Sequence, residues 1–76
     1  MISVETLRRC SFLNTVSLEE ILRRSYPQDR IVQSNFIGIT NAGGFAYDCM
    51  FPGEDGLERV KVFVNITDTG ELVADY

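Results

Sequence analysis

The chain has 76 residues, 45% of them hydrophobic, and a formal charge of −4 from 11 acidic and 7 basic side chains. At this length roughly 60% of the unfolded chain's surface is buried and one core is the limit, so a single domain spanning residues 1–76 is expected. With no histidine and only two cysteines, Cys10 and Cys49, no spaced zinc ligand set exists; no apolar stretch is long enough for a membrane span, and the acidic balance argues against direct binding to nucleic acid or an anionic membrane.

The opening segment MISVETLRRC has no basic start leading into an apolar run, so it does not read as a signal peptide. A reducing, cytoplasmic setting is expected, with Cys10 and Cys49 as small core thiols. Val4 and Leu7 lie at helical spacing behind Ser3, with Arg8 and Arg9 in the last turn, which predicts a first helix from Val4 to Cys10. A second helix is signalled by the capping box Ser17-Leu18-Glu19-Glu20, with Val16 placed to staple onto Ile21. Leu18, Ile21 and Leu22 form its apolar face, Glu19/Arg23 and Glu20/Arg24 are supportive pairs, and Pro27 stops the run.

Beyond Asp29 the hydrophobic period changes to two, which predicts strands over 31–40, 45–51, 58–67 and 71–76. Ala42-Gly43-Gly44 and Asp68-Thr69-Gly70 read as three-residue hairpin loops with glycine in the third, left-handed position. They predict Ile39 opposite Tyr47 and Ile37 opposite Cys49, then Ile66 opposite Leu72, Val64 opposite Ala74 and Val62 opposite Tyr76. Between them Pro52-Gly53-Glu54-Asp55-Gly56 is a longer acidic turn. The fold class is α+β: an N-terminal αα-hairpin packed on one face of a four-stranded antiparallel meander, ααββββ. The core face is Ile37, Ile39, Phe45, Tyr47, Cys49, Phe51, Val60, Val62, Val64, Ile66, Leu72 and Ala74, covered by Leu7, Phe12, Leu13, Leu18, Ile21 and Leu22.

Candidate chemistry is sparse, and the chain reads as a non-enzyme with no cofactor. A cysteine nucleophile needs a base or cationic neighbour, and beyond Arg8 and Arg9 near Cys10 none is provided. The Gly53–Gly56 turn lacks the alternating oxygen ligands of a calcium loop, and Asn41-Ala42-Gly43-Gly44 leads into a strand, whereas a phosphate cradle opens a helix. The outer sheet face is more telling. Phe36, Met50, Phe63 and Val73 alternate against the core set among Asp48, Lys61, Asn65, Glu71 and Asp75, and an apolar patch with a charged rim marks a binding surface. The competing reading is that a bulge near Ser34-Asn35 inverts part of the first strand, or that loops cover the second face and make these residues a minor second core. That strand carries no charge or proline from Ile31 to Thr40, so its edge is open to a second copy or a partner unless the helices cover it.

Charge is uneven: residues 1–30 carry four acids against five arginines, residues 31–76 seven acids against Arg59 and Lys61. The expected function is therefore a protein-interaction module, most concretely a small acidic inhibitor. Its partner-binding residues are Phe36, Met50, Phe63 and Val73 with Asp48, Glu54, Asp55, Glu58, Glu71 and Asp75, of which the acidic six would occupy a basic channel meant for nucleic acid on a larger protein. In size and charge alone such a chain is similar to small phage-borne inhibitors of bacterial defence enzymes. The alternative is a homodimeric ligand-binding domain with Tyr26, Tyr47 and Tyr76 lining a pocket.

Overall fold

The computed structural model describes residues 13–76. The first expected helix, its Cys10, and the core candidates Leu7 and Phe12 lie outside those residues. Within them the order is one helix, α1 (Thr15–Leu22), then β1 (Gln33–Ile39), β2 (Phe45–Gly53), β3 (Gly56–Ile66) and β4 (Leu72–Asp75). The strands form one antiparallel sheet in the order β1-β2-β3-β4.

Helix α1 starts earlier than the capping box implies. Asn14 is the N-cap, its extended backbone (φ −77°, ψ 168°) letting Oδ1 accept from the Ser17 N–H at 2.8 Å. Asparagine caps as well as serine does, and the earlier start adds Thr15, Val16 and Ser17 to a helix whose Leu18, Ile21 and Leu22 are all buried. Val16 thereby becomes a helical surface residue, 66% exposed, rather than a staple. In place of the two expected i,i+4 ion pairs, Glu19, Arg23 and Arg24 make other contacts. Glu19 Oε1 accepts from the Ile31 N–H at 2.7 Å, Arg23 Nε donates to the Pro27 carbonyl, and Arg24 reaches Glu71 Oε1 and the Leu72 carbonyl. A buried or half-buried backbone donor competes for a carboxylate better than an exposed, solvated guanidinium does.

These contacts also set the helix direction. The Thr15 and Ser34 hydroxyls are hydrogen-bonded at 2.9 Å at the β1 side, while Arg24 lies against the start of β4. Helix α1 thus crosses the sheet diagonally. Residues 25–32 then return along the sheet, with Tyr26 stacked on Tyr76 and Ile31 buried, and Val32 N–H bonds the Met50 carbonyl.

Of the hairpins, β3–β4 has the expected register, Ile66 opposite Leu72 and Val64 opposite Ala74, with Gly70 at φ 85°. Its ladder ends at Phe63–Asp75, one residue short of the expected Val62–Tyr76 pair. The β2–β3 connection is tighter than its composition implies: Gly53 pairs with Gly56 around Glu54 and Asp55 alone. In the β1–β2 hairpin the loop is Asn41-Ala42-Gly43, because Gly43 rather than Gly44 takes the left-handed conformation (φ 83°) and Thr40 N–H closes onto the Gly44 carbonyl. Gly44 is held elsewhere, since a Cβ there would collide with the Asn65 side chain and lie 3.1 Å from the Val64 carbonyl.

That shift of the loop changes the first register. Ile39 faces Phe45, and an irregularity between Phe36 and Gly38 (φ 149°) then sets Phe36 opposite Tyr47 and Ser34 opposite Cys49. The bulge sits at Ile37, beyond the Ser34-Asn35 position considered from sequence. The core face of the sheet is otherwise the expected one: Phe45, Tyr47, Cys49, Phe51, Val62, Val64 and Ala74 are buried with α1, and Val60, Ile66, Leu72 and Leu13 pack against them. Tyr47 is the largest fully buried side chain, and its hydroxyl accepts from the Leu13 N–H. Ile37 and Ile39, expected in this core, are 50% and 69% exposed.

Candidate functional site

The diagonal helix leaves two opposite corners of the core face for other residues to complete. One lies at the C-terminal half of β1. Phe36 stands on the core side, its ring 5.4 Å from Tyr47 and 6.4 Å from Phe45, yet it is still 38% exposed. With Ile37 and Ile39 it makes an apolar strip on an uncharged strand that, among the described residues, pairs on one side only. Sequence alternation could not find this strip, because the bulge at Ile37 moves every side chain before it to the other face.

The second corner, at the far end of the sheet, is closed by residues 25–31. The Tyr76 ring lies 4.6 Å from Tyr26 and 5.8 Å from Phe51, and its hydroxyl donates to Asp29 Oδ2 at 2.6 Å. That bond to a carboxylate holds the Tyr76 proton and raises its pKa above the ordinary 10.0, with the Asp29 charge acting the same way. Beside these rings is a cleft of about 370 Å³ lined by Gln28, Asp29, Arg30, Phe51, Pro52, Glu58, Val60 and Tyr76. Tyr47, the third tyrosine expected to line a pocket, is instead enclosed in the core.

The partner-binding residues inferred from sequence do not converge. Phe36 is on the opposite face from Met50, Phe63 and Val73, which is the correction the bulge imposes. On the outer face Phe63 and Val73 are diagonal neighbours across β3–β4, but the Asp48–Lys61 row separates them from Met50. Asp48 Oδ2 pairs with Arg59 Nε at 3.3 Å, and its Oδ1 is buried without a hydrogen-bond partner. Glu54 and Asp55 form the β2–β3 tip, Glu58 borders the cleft, Glu71 pairs with Arg24, and Asp75 stands opposite Phe63.

Cys49 is fully enclosed, and burial, with the adjacent Asp48 charge, pushes its thiol up to about 11. It is therefore a packed thiol at neutral pH and no nucleophile. Among the described residues no helix is long and apolar enough to cross a membrane. The chain matches no family model, and neither the curated proteins nor the solved structures compared with it include a similar one.

Proposed function

We propose that the protein is a non-enzymatic interaction module that binds an extended segment of a basic partner protein along the edge of β1. The observation that supports this most is that β1 is an uncharged edge strand whose Phe36, Ile37 and Ile39 remain exposed beside a backbone side that is unpaired among the described residues. Strand addition to such an edge draws affinity from main-chain hydrogen bonds and selectivity from alternate side chains. Charge favours a basic partner over a second copy, since residues 31–76 carry seven acids against two bases and two such surfaces repel. In its most specific form the partner is a nucleic-acid-binding protein that the acidic sheet inhibits. The site is then the β1 strip, with Glu54, Asp55 and Asp75 steering approach.

The test is selection of extended peptides from a random library on the immobilised protein, followed by binding to an Ile37→Lys/Ile39→Lys variant whose circular dichroism matches the parent. Basic peptides with alternating apolar residues, bound by the parent, lost by the variant and protecting β1 amides from exchange, are expected. Peptides that bind the variant equally well, or a parent that sediments as a dimer dissociated by these substitutions, would overturn the reading, the latter by assigning the edge to a second copy.

A further inference from the structure

The cleft at the closed corner combines three features that the β1 strip lacks. Its lining includes two rings in contact: Phe51 is 9% exposed and lies against the Tyr76 ring, which also contacts Tyr26 and donates to the Asp29 carboxylate. The lining also carries both charges, Arg30 on the returning segment and Glu58 on β3. Neither Arg30 nor Glu58 is in an ion pair among the described residues, whereas Arg24, Glu71, Asp48 and Arg59 are all paired. Glu58 is moreover folded against Gly53: a Cβ at Gly53 would lie 2.7 Å from its Cγ and 2.8 Å from its Oε1. A glycine there leaves the room that keeps this carboxylate beside the cleft.

An unpaired guanidinium and an unpaired carboxylate lining one cleft together with aromatic rings match a molecule carrying both charges on one small apolar body. Arginine binds a carboxylate through its planar fork, and Glu58 accepts from an ammonium. The ligand's apolar part covers Phe51, Val60 and the exposed half of the Tyr76 ring, a surface that also attracts the ammonium through the ring face. A cleft of about 370 Å³ stands at the small end of ligand sites. We infer that this cleft is a binding site for a free α-amino acid with an aromatic or large apolar side chain. It is independent of the β1 edge and does not rest on the function proposed for it.

The test titrates the full chain with L-phenylalanine and with its two single-charge analogues, phenethylamine and 3-phenylpropionate, followed by amide NMR shifts and calorimetry. Saturable shifts confined to residues around 28–30, 51–53, 58–60 and 76 are expected with phenylalanine, and each analogue binds roughly tenfold or more weakly for the loss of one charge-assisted contact. Arg30→Gln weakens phenylalanine and phenylpropionate but leaves phenethylamine unchanged; Glu58→Gln does the converse, and both side chains are exposed enough for the variants to fold. Absence of saturable shifts at about 10 mM phenylalanine, or an analogue that binds as well as phenylalanine, would overturn the assignment.

Discussion

The two corners of the core face start from the same situation, a sheet margin that α1 does not reach, and end in opposite states. At the far corner the chain returns from the helix with Tyr26, Asp29 and Ile31, so Tyr76 and Phe51 gain rings and a hydrogen bond. At the β1 corner no described segment returns, and Phe36 and Ile39 keep their apolar surface in water. Exposure here follows from the path of the connections, which returns over one corner and not the other. Apolar area left exposed on a strand without charge is the kind of surface a partner removes from water.

Tyr47 stands between the corners, and its loss gives the largest effect. Tyr47→Ala removes a fully buried ring that touches Phe36 and binds the Leu13 N–H, and is expected to cost about 3–5 kcal/mol, comparable to the whole stability of so small a domain. Urea unfolding checks this, and a cooperative transition close to the parent's would refute the central role given to that ring.

High pH acts next, through the interior and the closed corner. Cys49 and Tyr76 both have folded pKa values above their ordinary ones, so each contributes stability below its ordinary pKa that is lost as pH rises through the raised value. For Cys49 the window runs from about 9 to about 11, and the loss is on the order of 2 kcal/mol. The urea midpoint should fall across that range, less steeply in Cys49→Ala, and the native thiol should resist alkylation at neutral pH until the protein is unfolded. Equal slopes in parent and variant would place the alkaline transition elsewhere.

Smaller effects separate the corners directly. Tyr76→Phe keeps the ring contacts and removes only the hydrogen bond to Asp29, which should lower stability by about 1 kcal/mol or less and erase the tyrosinate contribution at high pH. At the bare corner Ile39→Lys should change stability by no more than about 0.5 kcal/mol, since the side chain is 69% exposed. Thermal unfolding of the two variants side by side tests whether one corner is structural and the other free; a larger loss from Ile39→Lys than from Tyr76→Phe would reverse the comparison.

Much of the architecture is legible without coordinates. The alternation in β2 and β3 places Phe45, Tyr47, Cys49, Phe51, Val62 and Val64 on one face, as found, because a half-buried strand must alternate. The Asp68-Thr69-Gly70 loop determines the β3–β4 register for a similar local reason: only a glycine takes its third position without strain. Leu18, Ile21 and Leu22 form the buried helix face by spacing alone.

Where local rules offered two equivalent answers, tertiary packing chose. Asn14 and Ser17 are both good caps, and the fold uses Asn14, whose Oδ1 accepts from the Ser17 N–H. Gly43 and Gly44 are both able to take the left-handed turn position; Gly43 takes it, while Gly44 lies where a Cβ would meet Asn65 and Val64 of β3. That single choice slides β1 relative to β2, and with the bulge at Ile37 it carries Phe36 to the core side and leaves Ile37 and Ile39 in solvent. The cleft lay further still beyond sequence reasoning, since Asp29, Arg30, Phe51, Glu58 and Tyr76 come from segments that only the diagonal helix and its return path bring together. Local chemistry is read from neighbours along the chain, and both the β1 strip and the cleft are products of contacts between segments far apart in it.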